Sequence, residues 1–178
     1  KVTSYMIKKS SKKSEFDHFT KLANEWWDPY GKFKLIHSLT PIRITYIKSM
    51  LSNEIHEINN PNKPLNKLNI LDLGCGGGLV CEPLARLGAN LTGIDFIKQN
   101  ITIAKKHAKD SSLNIKYLHQ DLDFINLNKK YDAILILEVL EHVDDWKKII
   151  TNIKKYLKPK GKLIISTINR NLLSQIFA

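Results

Sequence analysis

Three side chains able to do chemistry follow an aliphatic run in the segment LILEVLEHVDDW, residues 135–146. Glu138, Glu141 and His142 have the spacing i, i+3 and i+4, which can place them on one side of a helical turn. Two carboxylates and an imidazole in such a group suit a metal or substrate site. The same pattern also fits an ordinary acidic helix start, where Glu141 would favour the helix dipole. Both interpretations stay open at this point.

A glycine-rich loop, LDLGCGGG at residues 71–78, forms a second candidate site. Glycines such as Gly74 and Gly76 let the backbone turn tightly and approach a ligand closely. The dinucleotide pattern G-x-G-x-x-G is incomplete, because its third glycine is absent. Asp72 stands just before the glycines, and Asp95 lies about 20 residues further on, where an acid suits a ribose. The loop therefore predicts a nucleotide-type cofactor.

Alternating strands and helices must position these residues. The apolar runs predict strands at Leu68–Leu73, Asn90–Asp95, Asn114–Leu118, Tyr131–Glu138 and Lys162–Thr167, with helices at Leu79–Leu87, Ile97–Lys109 and Trp146–Leu157. This alternation indicates an α/β fold with a parallel, doubly wound sheet. Ligands bind at the carboxyl ends of such strands. The acids Asp72, Asp95, Asp121 and Glu138 all fall at those ends.

The part before the first strand is predicted to be helical. Helices are expected over residues 14–27 and from Thr40 to about Ile58, with Thr40 as the cap and Pro41 at the first helical position. Residues 59–67 are polar with two prolines and indicate a linker. We expect a disordered basic tail over 1–13, in which a transit-peptide remnant is the alternative. A helical cap over 14–58 and a cofactor-binding core over 68–178 complete the division.

Composition limits the classes of protein that need to be considered. A chain of 178 residues suits one domain, and no apolar run approaches the ~18–20 residues of a membrane-spanning helix. Cys75 and Cys81 match no paired zinc pattern, so a reducing compartment is the default. The net charge of +11 would attract nucleic acid or anionic lipid, or it reflects a surface that simply uses lysine. We do not expect a nucleic-acid partner.

The motif D-x-G-C-G-G-G, which starts at Asp72, resembles the first motif of the class I S-adenosylmethionine-dependent methyltransferases. The resemblance implies a Rossmann-like class I methyltransferase fold with S-adenosylmethionine as cofactor. It places Asp72 near the ammonium group of the cofactor, whereas an acid beside a pyrophosphate would repel it. By the same resemblance Asp95 serves the ribose, and Asp121 lies near the adenine or is only a solvated loop acid.

A narrower resemblance runs from residue 16 to residue 171. The segment FDHFTKLANEWWDPYGKFKLIHSLTPIRITYI, residues 16–47, is similar to the start of the ubiquinone-biosynthesis O-methyltransferases, and LDLGCGGG, GANLTGID, EVLEHV and STINRN continue the similarity. Thr40 and Ile36 depart mildly from the usual Asn and Leu of that family. Family members extend well past the last motif, so the C-terminal strands of their sheet are expected to be missing here.

The family resemblance implies methyl transfer from S-adenosylmethionine to a phenolic hydroxyl of a polyprenylated catechol-type intermediate. The cofactor-binding residues it implies are Arg43, Asp72, Gly74, Gly76, Asp95, Asp121 and Leu137. Arg43 corresponds to an arginine that reaches the cofactor carboxylate, or it is only a surface cation. Trp26 and Trp27 form an apolar lid over the substrate, or they simply pack in the core.

The same resemblance implies that Glu138, Glu141 and His142 bind Mg²⁺, which would lower the pKa of a catechol oxygen. Without a metal, His142 is the candidate general base, with Glu141 beside it. Peripheral binding to an anionic membrane is also implied, on the cytoplasmic face of the inner membrane of a bacterium or the matrix side of the mitochondrial inner membrane. Assembly with other ubiquinone-biosynthesis proteins is a further expectation. The alternatives are methylation of RNA or another small molecule, and a truncated cofactor-binding protein without turnover.

Overall fold

The computed structural model of the protein describes residues 22–52 and 60–167. Within these ranges the strands form a parallel five-stranded sheet in the order β3-β2-β1-β4-β5. The strands are β1 (Asn69–Leu73), β2 (Asn90–Asp95), β3 (Lys116–His119), β4 (Tyr131–Leu137) and β5 (Leu157–Ser166). The helices are α1 (Lys34–Ser52), α2 (Cys81–Arg86), α3 (Lys98–Asp110) and α4 (Trp146–Lys154).

Helices cover both faces of the sheet because successive side chains of a buried strand point to opposite sides. On one face, Ile70 of β1 packs in a core with Ile47 of α1 and Ala104 of α3. On the other face, Leu71 packs in a second core with Ile149 of α4. The predicted doubly wound α/β fold is confirmed.

The strand order creates a crevice between β1 and β4. The chain runs outward from β1 through β2 to β3, and it then returns to place β4 on the other side of β1. Helical connections therefore diverge to opposite faces at this point, and ligands of doubly wound sheets bind at the carboxyl ends beside such a switch. Asp72 near the end of β1 and Glu138 just after β4 flank the crevice.

The predicted start of the second helix is wrong. Helix α1 begins at Lys34, and Pro41 lies inside it. Thr40 does not cap a helix, since its Oγ1 donates to the carbonyl of Ile36 at 2.7 Å. Phe33 is buried and stacks on Trp26 just before the helix, with ring centroids 3.8 Å apart. This tertiary packing begins the helix earlier than the Thr-Pro pair indicates, and Pro41 costs it one backbone hydrogen bond.

The fifth strand also begins earlier than predicted. Its register against β4 shifts between Tyr131 and Ala133, and Lys160 has a φ of 64°. The Pro159–Gly161 segment is therefore a bulge within β5. Helix α4 ends at Lys154 and α2 spans six residues, so both are shorter than predicted.

Several predictions fall on residues that the structure does not describe. The basic tail, most of the helix at 14–27, the end of the second helix and the last residues of the core lie within 1–21, 53–59 and 168–178. A 3₁₀ turn, Ala23–Glu25, begins the described part. The division into tail, cap, linker and core stays a prediction.

One carboxylate ties together the starts of three strands. Asp132 in β4 accepts the backbone N–H of Asn69 at 2.8 Å. The Nζ of Lys158 in β5 donates to both oxygens of Asp132 at 2.9 Å. This contact lies at the end of the sheet away from the crevice.

None of the helices within residues 22–52 and 60–167 has both the length and the apolar character that a membrane crossing requires.

Candidate active site

A cavity of about 580 Å³ lies at the carboxyl ends of β1, β2 and β4. All ten residues singled out from the sequence line it: Arg43, Asp72, Gly74, Gly76, Asp95, Asp121, Leu137, Glu138, Glu141 and His142. Apolar side chains such as Leu35, Leu39 and Leu79 supply much of the remaining wall. A cavity with apolar walls and a few converging polar groups suits a small-molecule site.

The glycine loop turns sharply from β1 toward α2. Gly74 and Gly76 have φ values of 73° and 52°, which favour glycine over other residues. A Cβ on Gly74 would lie 2.3 Å from Val139 Cγ2, and one on Gly76 would lie 2.4 Å from the ring of Trp26. The N–H groups of Gly74 and Cys75 both donate to the carbonyl of Ile94, at 2.8 and 3.0 Å. The loop is thus fixed to the end of β2 and has no room for a side chain at Gly74 or Gly76.

Asp95 is buried, and backbone and side-chain donors hold it. Its Oδ1 accepts from the N–H of Ile97 at 2.8 Å and from Asn100 Nδ2 at 3.2 Å, while Oδ2 accepts from the N–H of Gly76 at 2.9 Å. Burial raises the pKa of Asp95, and these three hydrogen bonds oppose the rise. A carboxylate oxygen accepts more than one hydrogen bond, so Oδ2 can still accept from a hydroxyl group.

Asp72 is the second buried acid, with 2% of its surface exposed. Burial raises its pKa to about 7, and the charge of Asp95 adds to the rise. The thiol of Cys81, which donates to Oδ2 at 3.2 Å, and the charge of Arg43 oppose it. A carboxyl group of this kind favours a cationic partner, which would return it to the ionised form.

Arg43 reaches from α1 across the crevice to Glu138. Its Nη2 lies 2.5 Å from Glu138 Oε1, and Ser166 Oγ donates to the same oxygen. Glu138 follows β4 with a φ of 55°, and its Oε2 is buried without a hydrogen-bond partner in the described part of the chain. A guanidinium has five N–H donors, so Arg43 retains donors for a cofactor carboxylate. That cofactor role stays a prediction.

The expected single helical turn with Glu138, Glu141 and His142 is wrong. Glu138 leaves the strand in a left-handed conformation, and only residues Leu140–His142 form a 3₁₀ turn. Glu141 Oε2 accepts from Thr167 Oγ1 at 3.2 Å. No three His, Cys, Asp or Glu side chains in residues 22–52 and 60–167 stand close enough together to hold a metal ion. Because Arg43 also neutralises Glu138, this arrangement does not fit Mg²⁺.

Asp121 lines the cavity and also has a structural role. Its Oδ1 accepts from the N–H of Asp123 at 2.9 Å and caps the 3₁₀ turn Leu122–Phe124. Trp26 and Trp27, near the start of the described residues, both contact the glycine loop. Trp26 lines the cavity although only 9% of it is exposed, and Trp27 donates from Nε1 to the carbonyl of Gly77 at 3.0 Å.

Two buried polar groups were missed by the sequence analysis. Asn100, in the first turn of α3, lies between Trp26 and Asp95. Glu82 in α2 is 2% exposed and 2.7 Å from His107 Nδ1, and the His107 ring stacks on Trp27. Both residues are polar at helix positions that face the core, and this departure from the amphipathic pattern was the available indication in the sequence.

Comparison with known proteins defines the class. Residues 71–165 match the family model of the methyltransferase domain. The magnesium protoporphyrin IX methyltransferase of Synechocystis PCC 6803 with bound SAH has a similar fold, with a TM-score of 0.68 and 21% identity over 98% of this chain and 76% of that one. The PH0226 protein of Pyrococcus horikoshii OT3 is similar with a TM-score of 0.63 and 22% identity over 85% of this chain and 62% of that one. The protein is therefore an S-adenosylmethionine-dependent methyltransferase of the class I fold.

Sequence relatives identify the family within that class. The ubiquinone biosynthesis O-methyltransferase of Pelagibacter ubique (strain HTCC1062) is 46% identical over 95% of this chain and 70% of its own length. The enzyme of that name from Bartonella tribocorum is 43% identical over 93% of this chain and 67% of its own length. The chain belongs to the ubiquinone biosynthesis O-methyltransferase family, and it spans about two thirds of the length of these relatives. The resemblance of the sequence motifs to this family is confirmed.

Proposed function

We propose that the protein transfers the methyl group of S-adenosylmethionine to a phenolic hydroxyl of a polyprenylated catechol-type intermediate of ubiquinone biosynthesis. One observation carries the proposal: buried acids, an arginine and an imidazole converge on one largely apolar cavity at the β1–β4 crevice. The acids suit the polar groups of the cofactor, and the apolar wall suits a prenylated ring.

In this proposal, three charged residues bind the polar groups of the cofactor. Asp72 lies near its ammonium group, Asp95 accepts from a ribose hydroxyl through Oδ2, and Arg43 binds its carboxylate. Gly74 and Gly76 allow the close approach of the backbone. Asp121 near the adenine and Leu137 beside the methyl-donating centre complete the set.

The chemistry assigned to this chain's own residues is proton removal and positioning. S-adenosylmethionine would supply the methyl group, which is bonded to its sulfonium sulfur. His142 accepts the phenolic proton, the oxygen forms a bond to the methyl carbon, and the carbon–sulfur bond breaks with its electron pair left on sulfur. Glu141, the neighbour of His142 in the chain, is the second residue assigned to this step. In-line positioning of oxygen, carbon and sulfur supplies most of the acceleration.

Mg²⁺ is a separate prediction from the family resemblance, with Glu138, Glu141 and His142 as its ligands. The described arrangement does not bring these ligands together, so no step of the transfer is assigned to the ion.

A prenylated phenol is stored in a membrane, and we propose that the protein binds the membrane surface peripherally. The net charge of +11 supports attraction to anionic lipid. The proposed location is the cytoplasmic face of the inner membrane in a bacterium, or the matrix side of the inner membrane in mitochondria. Assembly with other ubiquinone-biosynthesis proteins is part of the same proposal.

The test is transfer of a radiolabelled methyl group from S-adenosylmethionine to a short-tailed catechol, with a matched assay on RNA. We expect label in the catechol, and a loss of about 100-fold in His142→Ala, because general-base catalysis contributes 10²–10⁴-fold. His119→Ala is the matched control, since His119 is exposed and does not line the cavity. A protein that binds the cofactor but labels no phenol would contradict the proposal, and label in RNA would favour the alternative substrate. Full activity in EDTA would refute the metal prediction.

A further inference from the structure

We infer that Asn100 is a positioning residue that couples cofactor binding at Asp95 to closure of the aromatic cap formed by Trp26 and Phe33. The inference rests on the proposed function only in taking Asp95 as the cofactor-binding acid. It concerns the order in which the site forms: the cofactor fixes the cap, and the cap then completes the wall that the acceptor contacts.

The Asn100 amide joins two residues that are far apart in the sequence. Its Oδ1 accepts from Trp26 Nε1 at 2.8 Å, and its Nδ2 donates to Asp95 Oδ1 at 3.2 Å. Only 2% of Asn100 is exposed, so water cannot replace either bond. The indole offers only a donor and the ionised carboxylate only acceptors, so the amide can satisfy both in just one orientation. An ionised carboxylate or an apolar side chain of similar size cannot supply both groups.

Trp26 connects this bond to the cofactor loop. Its ring lies against the loop so closely that a Cβ on Gly76 would come within 2.4 Å of it and one on Gly77 within 2.5 Å. The ring also stacks on Phe33 with an interplanar angle of 8°. The backbone carbonyl oxygen of Trp26 lies 2.9 Å from His37 Nε2. The position of one indole therefore sets both the cover of the loop and the start of α1.

Coupling follows from the shared Asn100 amide. When the cap opens, this amide loses the Trp26 bond that fixes the orientation in which it donates to Asp95, and the glycine loop loses the ring that covers it. If cap closure strengthens cofactor binding by some factor, cofactor binding must favour cap closure by the same factor. Leu35 and Leu39 of α1, the helix that begins beside the cap, also line the cavity. A closed cap thus provides a more complete wall for the acceptor.

The experiment measures cofactor affinity by calorimetry and the tryptophan emission change on binding, for the whole chain without acceptor. Asn100→Ala, Asn100→Asp, Trp26→Phe and the double variant Asn100→Ala/Trp26→Phe are compared with Gln99→Ala, which removes an exposed amide from the same helix. Loss of a buried hydrogen bond that leaves its partner unsatisfied should weaken cofactor binding roughly tenfold. We expect each variant at Asn100 to show this loss with a smaller emission change, and Gln99→Ala to behave like the wild type.

The double-mutant cycle decides whether Asn100 acts through Trp26. Contacting residues show interaction energies, so the double variant should lose clearly less affinity than the product of the single losses. Purely multiplicative losses, or wild-type affinity in Asn100→Ala, would overturn the inference. Asn100→Asp keeps the size of the side chain and is the readout if the alanine variant is unstable. Neither the affinity nor the emission measurement requires turnover. A failure to methylate any phenol would therefore refute the proposed function, whereas the binding measurements alone would decide whether the coupling exists.

Discussion

We expect Asp72 to make cofactor binding dependent on pH. Its pKa is raised to about 7 by burial, so in the free protein only about a tenth of the carboxyl groups are ionised at pH 6. In the proposed site the cofactor ammonium favours the ionised form, so binding at pH 6 should require release of a proton. At pH 7.5 about three quarters are already ionised. The ratio of these fractions predicts about eightfold weaker binding at pH 6 than at pH 7.5, or roughly 1.3 kcal/mol.

Calorimetry in buffers of different ionisation enthalpy measures both the affinity and the protons released. For the wild type we expect release of about 0.9 proton at pH 6 and about 0.2 at pH 7.5. Asp72→Asn removes the titrating group and should bind more weakly, with an affinity that no longer follows pH in this window. In the ligand-free protein the same titration should affect stability. An acid with a raised folded pKa holds its proton more tightly when folded, so its contribution to stability falls as pH rises from 3.8 toward 7.

A pH-independent affinity without proton release in the wild type would refute this reasoning. A slope that persists in Asp72→Asn would assign the titration to another group, with Asp95 first, because burial raises its pKa as well.

Two further variants test the loop and the crevice. Gly76→Ala places a Cβ 2.4 Å from the Trp26 ring at a φ of 52°, so cofactor affinity measured by calorimetry should fall at least about tenfold. Gly31→Ala, in the turn before α1, is the control and should retain affinity. Arg43→Met leaves the Glu138 carboxylate without its cation, so urea unfolding should show a loss of about 1–3 kcal/mol that Glu138→Gln in the same chain partly restores. Equal stability of the Arg43 variant and the wild type would mean that the ion pair contributes nothing.

The local patterns of the sequence were sufficient for the sheet, the glycine loop and the acids at the strand ends, whereas Arg43 and Leu137 were implied only by the family resemblance. Buried apolar runs identify the strands, so Asp72 and Asp95 could be placed at strand ends. The glycine loop was evident from its composition. The contacts that set geometry were not predictable from local pattern. Arg43 and Glu138 are 95 residues apart, and Trp26 and Asn100 are 74 apart. Only the packing of α1 and the Trp26 segment onto the sheet brings such pairs together.

The start of α1 was likewise not predictable from local pattern, because a tertiary contact determines it. Thr40 and Pro41 form a favourable local helix start, but the buried aromatic contact of Phe33 favours an earlier one. Local preference is a weak term against the burial of a large ring. The left-handed Glu138 was likewise not indicated by its residue type, and its side-chain contacts with Arg43 and Ser166 hold it in place.

The carboxylate of Asp132 influences the alignment of the active-site residues although it lies at the opposite end of the sheet. By joining Asn69 and Lys158 at the strand starts, it fixes how far β1, β4 and β5 extend along one another. A slip of one residue would move a strand end by about 3.3 Å and turn each side chain to the opposite face. Asp72 and Glu138 would then no longer flank one crevice. The contacts of Asp132 at one end of the sheet thus help to align the active site at the other end. Mutations of Asp132 can therefore impair turnover although this residue lies far from both substrates.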